Sequence, residues 1–308
     1  MRAITLLFFL FLFQIPEGHA QVEETIEPEY IRTIQFKGTS AQSSLPIIEL
    51  GQKLQLSFDD IIGNEADYFY TIAHFNFDWT PSDLSKGEYL DGFDDVRIET
   101  YENSFNTLQL YSNYKLSIPN RETRAIKKSG NYLLRIFNDD GEIVFSRKFM
   151  VLERVLSVEV EIKRSRIIKN IDQQQVVQFK INSPNLLLIN PKQNVKTLVL
   201  QNNNLKTAIT NLKPLYTIGS ELIYKYDQEA AFWGGNEFLF FDNKDLRSST
   251  NGVRYVELNE LYENFLFTNI DRSVRPYTYN PDINGSFQVR NLYASQNQNI
   301  EADYVLMH

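Results

Sequence analysis

The sequence contains no cysteine and only three histidines, His19, His74 and His308, among its 308 residues. The lack of cysteine excludes disulfide bonds, thiol nucleophiles, iron–sulfur clusters and cysteine-ligated zinc sites. So few histidines also deprive most hydrolase and metalloenzyme sites of their usual acid–base group or ligand. With 43% hydrophobic and 13% aromatic residues, the fold must be stabilised by burial of apolar side chains, and the chain is long enough for that.

Motifs of catalysis are also missing. There is no glycine-rich phosphate-binding loop, no His-Glu-x-x-His zinc helix and no Gly-x-Ser-x-Gly nucleophile elbow. The internal histidine, His74, lies in an apolar segment beside Phe75 and Phe77, which favours a packed histidine over a general base. We therefore expect no enzymatic activity, no cofactor and no metal site.

Paired carboxylates could still hydrolyse glycosides, because that reaction needs only two acids at a set distance. The adjacent pairs are Asp59-Asp60, Asp94-Asp95 and Asp139-Asp140. Neighbouring side chains on a strand point to opposite faces, so the two members of such a pair cannot share one substrate. Residues 91–95 are rich in aspartate but lack the spaced ligands of a known calcium loop.

Long hydrophobic runs are absent except at the N-terminus. Arg2, the apolar run 6–13 and the small residues of Gly18-His19-Ala20 are typical of a secretory signal peptide, which we assign to residues 1–20. The alternative, a membrane anchor, is disfavoured because a spanning helix needs about 20 apolar residues. Cleavage would expose Gln21, and without cysteine no lipid anchor can be attached there. We expect a periplasmic protein with no membrane span of its own.

The net charge of −8 is unevenly distributed. Residues 21–152 contain 21 acidic and 13 basic side chains, whereas residues 153–308 contain 17 of each. Twelve carboxylates lie in residues 59–102 against only two basic side chains, Lys86 and Arg97. This charge would repel a phosphate backbone, so we expect no nucleic-acid binding. The acidic stretch is either a solvated loop face or a surface that attracts a basic or amide-rich partner.

Apolar residues alternate with period two along most of the chain, which predicts an all-β fold. Residues 53–58 and 156–163 are predicted as half-buried antiparallel strands, and residues 68–77 and 132–137 as central strands. Only residues 227–232 could form a helical turn or two. The remaining predicted strands are 30–36, 115–118, 143–152, 176–181, 195–200, 221–226, 253–258 and 285–292.

Short strands joined by tight turns are typical of β-sandwiches, and we expect two tandem immunoglobulin-like sandwiches. Asn138-Asp139-Asp140-Gly141 predicts a hairpin, because Asn, Asp and Gly tolerate a positive φ. The first domain is assigned to residues 21–152 and the second to residues 153–300. Residues 301–308 resemble a strand with nothing after it to pair with, so we expect the sequence to stop at the start of a third module.

Two aromatic, glycine-bearing segments are not explained by strand alternation, and they contain the only two tryptophans. The first is residues 75–84 leading into residues 88–93, and the second is residues 232–238. The indoles could plug the ends of a sandwich core, or they could form a platform for a partner or a glycan. On the second interpretation, the predicted partner-binding residues are Trp79, Pro81, Asp83, Leu84, Tyr89, Leu90, Asp91, Phe93, Trp233, Asn236 and Phe238.

These segments resemble sequences of the type 9 secretion system plug protein family of Bacteroidota. The resemblance begins with Asp78-Trp79-Thr80-Pro81-Ser82-Asp83-Leu84 and Glu88-Tyr89-Leu90-Asp91-Gly92-Phe93. It continues in order through residues 104–108, 128–134, 190–193 and 200–202 to Phe232-Trp233-Gly234-Gly235-Asn236-Glu237-Phe238. An ordered set of this length, which covers nearly the whole chain after residue 20, is more specific than any single motif.

The resemblance implies a non-enzymatic periplasmic protein, held at the outer membrane by a protein partner. That partner would be the large β-barrel translocon of the system, whose periplasmic end the plug occludes while nothing is exported. The family has a further sandwich that resembles a carbohydrate-binding module and would lie beyond residue 308. The alternative function is that of a glycan-binding accessory protein of the cell envelope, with Trp79 and Trp233 as stacking surfaces.

Overall fold

The structure is a computed structural model that describes residues 22–39, 45–234, 239–243, 252–271, 287 and 305–307. Strands dominate these residues, and the prediction of an all-β fold is confirmed. The helices among them are single turns: α1 (Lys86–Tyr89), α2 (Pro191–Asn194) and a 3₁₀ turn at Ile168–Asn170. None of these helices is long or apolar enough to cross a membrane.

The first eleven strands form two facing sheets and one separate two-stranded pair. The large sheets have the strand orders β1-β3-β8-β7 and β2-β11-β10-β4-β6, and β5 pairs with β9. The strands are β1 (Ile31–Gly38), β2 (Ile47–Glu49), β3 (Leu54–Asp60), β4 (Phe69–Phe75), β5 (Leu90–Gly92), β6 (Val96–Arg97), β7 (Thr100–Asn103), β8 (Ser112–Ile118), β9 (Thr123–Ile126), β10 (Gly130–Phe137) and β11 (Ile143–Leu152).

The core between the two large sheets is rich in aromatic side chains. Leu54, Leu56 and Phe58 of β3 are all buried on one face, as the alternation predicts. The Phe58 ring stacks on Tyr114 at a centroid distance of 5.2 Å, and Tyr132 stacks on Phe149 at 5.1 Å. Such offset ring pairs contribute about 0.5–1.5 kcal/mol beyond the area that they bury. The predicted central strands β4 and β10 are indeed neighbours inside the five-stranded sheet.

The predicted hairpin between β10 and β11 is present. Gly141 has a φ of +77°, and the Asn138 side chain accepts a hydrogen bond from the Glu142 N–H at 2.8 Å. Residues 22–28 then lie against β11 as a strap, because Thr25 N–H donates to Ser146 Oγ at 2.7 Å and Ser146 N–H donates to Thr25 O at 3.1 Å. Arg147 and Glu27 add an ion pair at 2.6 Å.

The later strands form smaller sheets. One has the order β12-β13-β17-β16, with β18 also paired to β13; β14 pairs with β15, and β19-β20-β21 form a third sheet. The strands are β12 (Ser157–Arg164), β13 (Gln174–Asn182), β14 (Leu198–Gln201), β15 (Asn204–Thr210), β16 (Tyr216–Ile218), β17 (Glu221–Tyr224), β18 (Ala231–Trp233), β19 (Val253–Leu258), β20 (Tyr262–Leu266) and β21 (Val305–Met307). A second core forms around Phe179, Leu222, Tyr224 and Phe232.

The structure corrects the prediction for residues 156–163. They do form an antiparallel strand, β12, but this strand is exposed on both faces rather than half-buried. Val158, Val160 and Ile162 are 57%, 60% and 64% exposed. Period-two alternation shows which side chains share a face, but not whether another layer covers that face, and this is why the prediction was wrong.

Three other predictions differ from the structure or lie outside it. Residues 227–232 form turns that lead into β18 rather than a helix, since Ala231 N–H bonds to Gln228 O and Ala231 pairs with Val176. Residues 305–307 are not left unpaired, because β21 pairs in parallel with β20. The strand predicted at 285–292 lies outside the described residues apart from Phe287. The division into domains at residue 153 stays a prediction.

Candidate functional site

The first aromatic segment follows β4 and then runs back along the edge of that strand. We call residues 76–95 the capping segment. The neighbouring strand β6 pairs only with Phe69 and Tyr70, which leaves the rest of the β4 edge without a strand partner. An uncovered edge would present free backbone groups to other chains. Side-chain and backbone groups of the capping segment hydrogen-bond to this edge instead.

Asp94 fixes the capping segment to the middle of β4. Its carboxylate accepts a hydrogen bond from the Ile72 backbone N–H at 2.6 Å and lies 2.6 Å from the Lys86 ammonium. The Asp94 side chain is only 2% exposed. A buried carboxylate is stable only when it is paired and hydrogen-bonded, and both conditions are met here. Asp94 therefore belongs neither to a solvated loop face nor to a calcium site.

Tyr89 and Ser82 cover the next positions on the same edge. The Tyr89 hydroxyl donates to Ile72 O at 3.2 Å, and the Ser82 N–H donates to His74 O at 3.4 Å. The Tyr89 ring stacks on the His74 ring at 5.5 Å. The Tyr89 hydroxyl is protonated at neutral pH and can donate, and burial raises its pKa further. Tyr89 and Leu90, both predicted as partner-binding residues, are thus buried against the first core.

His74 is a packed histidine whose two ring nitrogens both have partners. Nδ1 lies 2.7 Å from Ser82 Oγ and Nε2 lies 3.3 Å from Ser129 O. Gly130 makes this position possible, because a Cβ there would lie 2.3 Å from His74 Nε2. A Ser–His hydrogen bond can be part of a nucleophilic site, but an oxyanion also needs free N–H donors. The N–H of Ser82 is already donated to the strand edge.

The end of the capping segment is held by β9. Gly92 has a φ of +99°, and a Cβ there would lie 2.0 Å from Glu122 O. Only glycine therefore allows β5 to approach β9 this closely. The Phe93 N–H donates to Glu122 O at 2.9 Å, and Thr123 Oγ1 donates to Phe93 O at 2.6 Å. The Phe93 backbone is thus fixed on both sides, while its side chain is 72% exposed.

The start of the capping segment is a tight turn that displays two aromatic rings. The Asp78 carboxylate accepts hydrogen bonds from the Thr80 N–H at 3.1 Å and the Thr80 hydroxyl at 2.7 Å. Trp79 adopts a φ of +64°, which is uncommon for a bulky residue. Phe77 is 61% exposed, and the Lys196 ammonium lies 5.3 Å from its ring centroid.

Trp79 itself is half-buried at the margin of the first sandwich. The Lys148 ammonium lies 4.5 Å from the centre of its indole, and the Val22 N–H donates to Trp79 O at 3.4 Å. A cation over an indole contributes about 0.5–1 kcal/mol at an exposed site. Trp79 is therefore neither a plug deep in the core nor a freely exposed platform.

The other predicted residues separate into exposed and unplaced positions. Pro81 and Asp83 are exposed, Leu84 packs partly on the core, and Asp91 pairs with Arg124 at 2.7 Å near the surface. Trp233 in β18 is 58% exposed, whereas its neighbour Phe232 is buried. The predicted residues Asn236 and Phe238 lie outside the described residues. The structure thus brings the first eight residues into one segment and places Trp233 on a separate sheet.

A groove of about 410 Å³ lies beside the capping segment. It is lined by Val22, Ala73, His74, Phe75, Pro81, Ser82, Leu84, Tyr89 and Arg135. Among the described residues, no group of three or more His, Asp or Glu side chains could hold a metal ion.

Sequence reasoning missed several surface features. Phe77 was part of the aromatic motif but was not singled out, although it is more exposed than Trp79. Phe105, Leu108 and Leu110 are exposed in the connection from β7 to β8, which lies at the opposite end of the sandwich from Trp79. The available signal was the cluster of large apolar residues in a segment without strand alternation. The stacking of Lys148 on Trp79 had no signal, because it joins residues far apart in sequence.

Comparisons with known proteins agree with the resemblance of the motifs. A family model of the first domain of the type 9 secretion system plug protein matches residues 31–153. The crystal structure of a hypothetical protein from Parabacteroides merdae ATCC 43184 superposes with a TM-score of 0.85 and 30% sequence identity. The match covers 93% of this chain and 73% of that chain. No curated protein sequence matches the chain significantly.

Proposed function

This chain belongs to the type 9 secretion system plug protein family, and we propose that it occludes the periplasmic end of the outer-membrane translocon barrel when no cargo is exported. Family membership supports a role in type 9 secretion. Occlusion of this barrel and residence in the periplasm after removal of residues 1–20 are the further steps of the proposal.

The observation that carries the proposal is the rigid display of aromatic rings by the capping segment. Asp94, Tyr89 and Ser82 hold the segment on the β4 edge. The side chains of Phe77 and Phe93 stay 61% and 72% exposed, with the Lys196 ammonium beside the Phe77 ring. A rigid aromatic surface loses little conformational entropy when a partner binds, and aromatic side chains dominate interface energies. We therefore assign the capping segment as the surface that contacts the barrel.

A plug must also be released, so its interface should be of moderate strength and polar at the rim. The exposed Asp83 and the surface pair of Asp91 with Arg124 supply such a rim beside the aromatic rings. Sandwich domains with closely packed aromatic cores suit a stopper, because they resist deformation. On this proposal the protein works by shape and contact and catalyses no reaction.

The test is co-purification of the translocon barrel with tagged variants from outer membranes. Phe77→Ala with Phe93→Ala removes the two exposed rings. It leaves Asp94, Tyr89 and Ser82, which hold the capping segment on the β4 edge, unchanged, so folding should be retained. We expect the barrel to be lost from the double variant and retained with Phe105→Ala, which removes an 80% exposed ring at the opposite end of the sandwich. If the folded double variant still retained the barrel fully, the capping segment would not be part of the interface.

The second candidate function is glycan binding, and the exposed indole of Trp233 is the observation that favours it. An exposed indole can stack on a sugar ring, whereas the Trp79 indole is partly covered by Lys148. Retention of the protein on polysaccharide affinity gels, abolished by Trp233→Ala, would support this function. Co-purification of the barrel without any retention on polysaccharide would support the plug.

A further inference from the structure

The outer edge of β12 is an open β-strand edge. β12 is the terminal strand of its sheet and pairs only with β13. Within the part of the chain that the structure describes, no strand, helix or loop hydrogen-bonds to its other side. Natural proteins protect such an edge by shortness, bulges, proline or charged side chains. Over its eight residues β12 has no bulge and no proline, and its charged side chains carry both signs, so they disfavour a mismatched strand but can pair with a matched one.

The register of the β12–β13 ladder shows which backbone groups are free. Ser165 N–H donates to Gln174 O at 3.2 Å, and the pairing continues without a shift to Ser157 opposite Asn182. In an antiparallel ladder, directly hydrogen-bonded pairs occur at every second residue. The odd-numbered residues of β12 therefore bond to β13. The N–H and C=O groups of the even-numbered residues, Val158, Val160 and Ile162 among them, point to the open side.

The same even-numbered side chains form an apolar row. Val158, Val160 and Ile162 lie opposite Ile181, Phe179 and Val177, which are all buried in the second core. The row thus continues the apolar face of the sheet from the buried residues of β13 to the exposed residues of β12. A strand with free backbone groups and a continuous apolar row offers both parts of a strand-addition site.

Charge decides which occupant fits. On the face opposite the apolar row, the charged residues of β12 change sign, from Glu159 and Glu161 to Lys163. Arg164, the last residue of β12, lies on the same face as the apolar row. An antiparallel second copy of the same strand can bring Lys163 of each chain opposite Glu161 of the other. We propose that β12 pairs antiparallel with β12 of a second copy, which joins the two sheets across a two-fold axis. Closed two-fold contacts of this kind are the commonest in soluble oligomers.

The free backbone groups and the charges also select the register. Even-numbered residues must face even-numbered residues, because only those have free groups. A two-fold axis at Val160 would place Glu159 opposite Glu161, and an axis at Glu161 would place that carboxylate opposite itself. An axis at Ile162 places Glu161 opposite Lys163 in both directions and Ile162 opposite its own copy. On the apolar face, Val160 then packs beside the aliphatic stem of Arg164 of the other copy. Opposite charges across strands are favourable and like charges are not, so the dimer has its axis at Ile162.

One pair of strands buries less area than a stable interface needs, so the dimer should form only at high protein concentration. The measurement is sedimentation velocity of the purified chain over a concentration series. Val160→Pro removes an outward N–H but none that bonds to β13, and proline is tolerated on edge strands. We expect it to weaken dimerisation roughly tenfold, because each dimer loses two backbone hydrogen bonds and each contributes about two- to tenfold. Val160→Thr keeps the N–H and should weaken dimerisation less.

Charge exchange tests the register independently. Glu161→Lys should weaken the dimer, and Lys163→Glu added to it should restore the dimer, because the pair is then reversed in both copies. The exchange also keeps the ion pair between these two residues within one strand, so the fold is not altered. If Val160→Pro does not fold, Ile162→Lys is the alternative variant, because Ile162 is exposed in the monomer and the substitution should not disturb folding. It should abolish the dimer by placing two ammonium groups at the axis.

Hydrogen exchange gives a site-specific readout. The Val160 and Ile162 amides should exchange more slowly as concentration rises, while odd-numbered amides of β12 should not change. A chain that stays monomeric at its highest soluble concentration would overturn the proposal. So would self-association that Val160→Pro leaves intact, failure of the double exchange to restore the dimer, or pairing of β12 with a strand of a different protein in place of its own copy.

Discussion

The Lys86 ammonium lies 2.6 Å from the Asp94 carboxylate. Lys86 begins α1, which ends at Tyr89, and Asp94 follows β5. Lys86 is half exposed, whereas Asp94 is buried and also accepts a hydrogen bond from the Ile72 N–H. The pair therefore couples the conformation of the capping segment to the edge of β4.

Removal of Asp94 should destabilise the first sandwich. Asp94→Ala leaves the Ile72 N–H without its acceptor, and an unsatisfied buried polar group costs about 1–3 kcal/mol. Urea unfolding of the purified chain measures this change. Arg124→Ala is the control, since it breaks the exposed Asp91 pair and should cost at most about 1 kcal/mol. Equal losses in the two variants would contradict the structural role of Asp94.

Gly92→Ala should disrupt the end of the capping segment. The added Cβ would meet Glu122 O at 2.0 Å, so β5 and β9 would have to separate and Phe93 would shift. Gly141→Ala is the matched control, because Gly141 also has a positive φ but has no atom within 4 Å of its Cβ position. We expect about 1 kcal/mol for Gly141→Ala and a clearly larger loss for Gly92→Ala. Thermal unfolding compares them, and similar losses would argue against the close approach of β5 to β9.

Two buried tyrosines should respond in opposite ways to loss of the hydroxyl. The Tyr224 hydroxyl is buried without a hydrogen-bond partner in the described structure, so Tyr224→Phe should keep or increase the free energy of unfolding. The Tyr68 hydroxyl donates to the buried Asp60 carboxylate at 2.8 Å, so Tyr68→Phe should lose about 1–3 kcal/mol. Urea denaturation of both variants checks the contrast. A loss for Tyr224→Phe as large as that for Tyr68→Phe would refute it.

Alkaline pH should also destabilise the second core through Tyr224. Burial raises the pKa of Tyr224 to about 12, above its value of about 10 in the unfolded chain. Because the folded state favours the protonated hydroxyl, this stabilisation is complete below pH about 10 and is lost as pH rises through 12. Tyr224→Phe should flatten the stability profile in that window, measured by urea unfolding at each pH. An unchanged slope would exclude Tyr224 as the group that titrates.

The two tryptophans should differ in their access to solvent. Trp233 is exposed in β18, whereas Trp79 lies under Lys148. Acrylamide should therefore quench the fluorescence of Trp79→Phe, which retains Trp233, more strongly than that of Trp233→Phe. Lys148→Met should then increase quenching in the Trp233→Phe background. Equal quenching of both single-tryptophan variants would contradict the burial of Trp79.

Period-two alternation was sufficient to predict the all-β fold and the inward row Leu54, Leu56 and Phe58, because a strand side-chain pattern is local. It was not sufficient for Val158, Val160 and Ile162, since exposure depends on whether a second layer covers the face. Turn residues and apolar runs predicted both ends of β11 and of β19 correctly, at residues 143–152 and 253–258. The single-turn helices α1 and α2 have no apolar repeat and could not be found in this way.

The candidate site shows the same limit. The segment around Trp79 and Phe93 stands out in the sequence by its unusual aromatic composition, and its role as a binding site stays a prediction. Which of these side chains are buried could not be predicted, because that depends on the β4 edge, which only the fold creates. Asp94 illustrates the difficulty: in the sequence it is one acidic residue among twelve, and in the fold it is a buried acceptor.

The strap formed by residues 22–28 has a practical consequence for work on this protein. Its first hydrogen bond, from Val22 to Trp79, places the beginning of the described chain directly against the turn that bears the indole. A purification handle fused just before residue 22 would crowd the very face that a binding assay is meant to probe. Handles and fluorophores are better attached at the hairpin around Gly141, where the added atoms would meet open solvent.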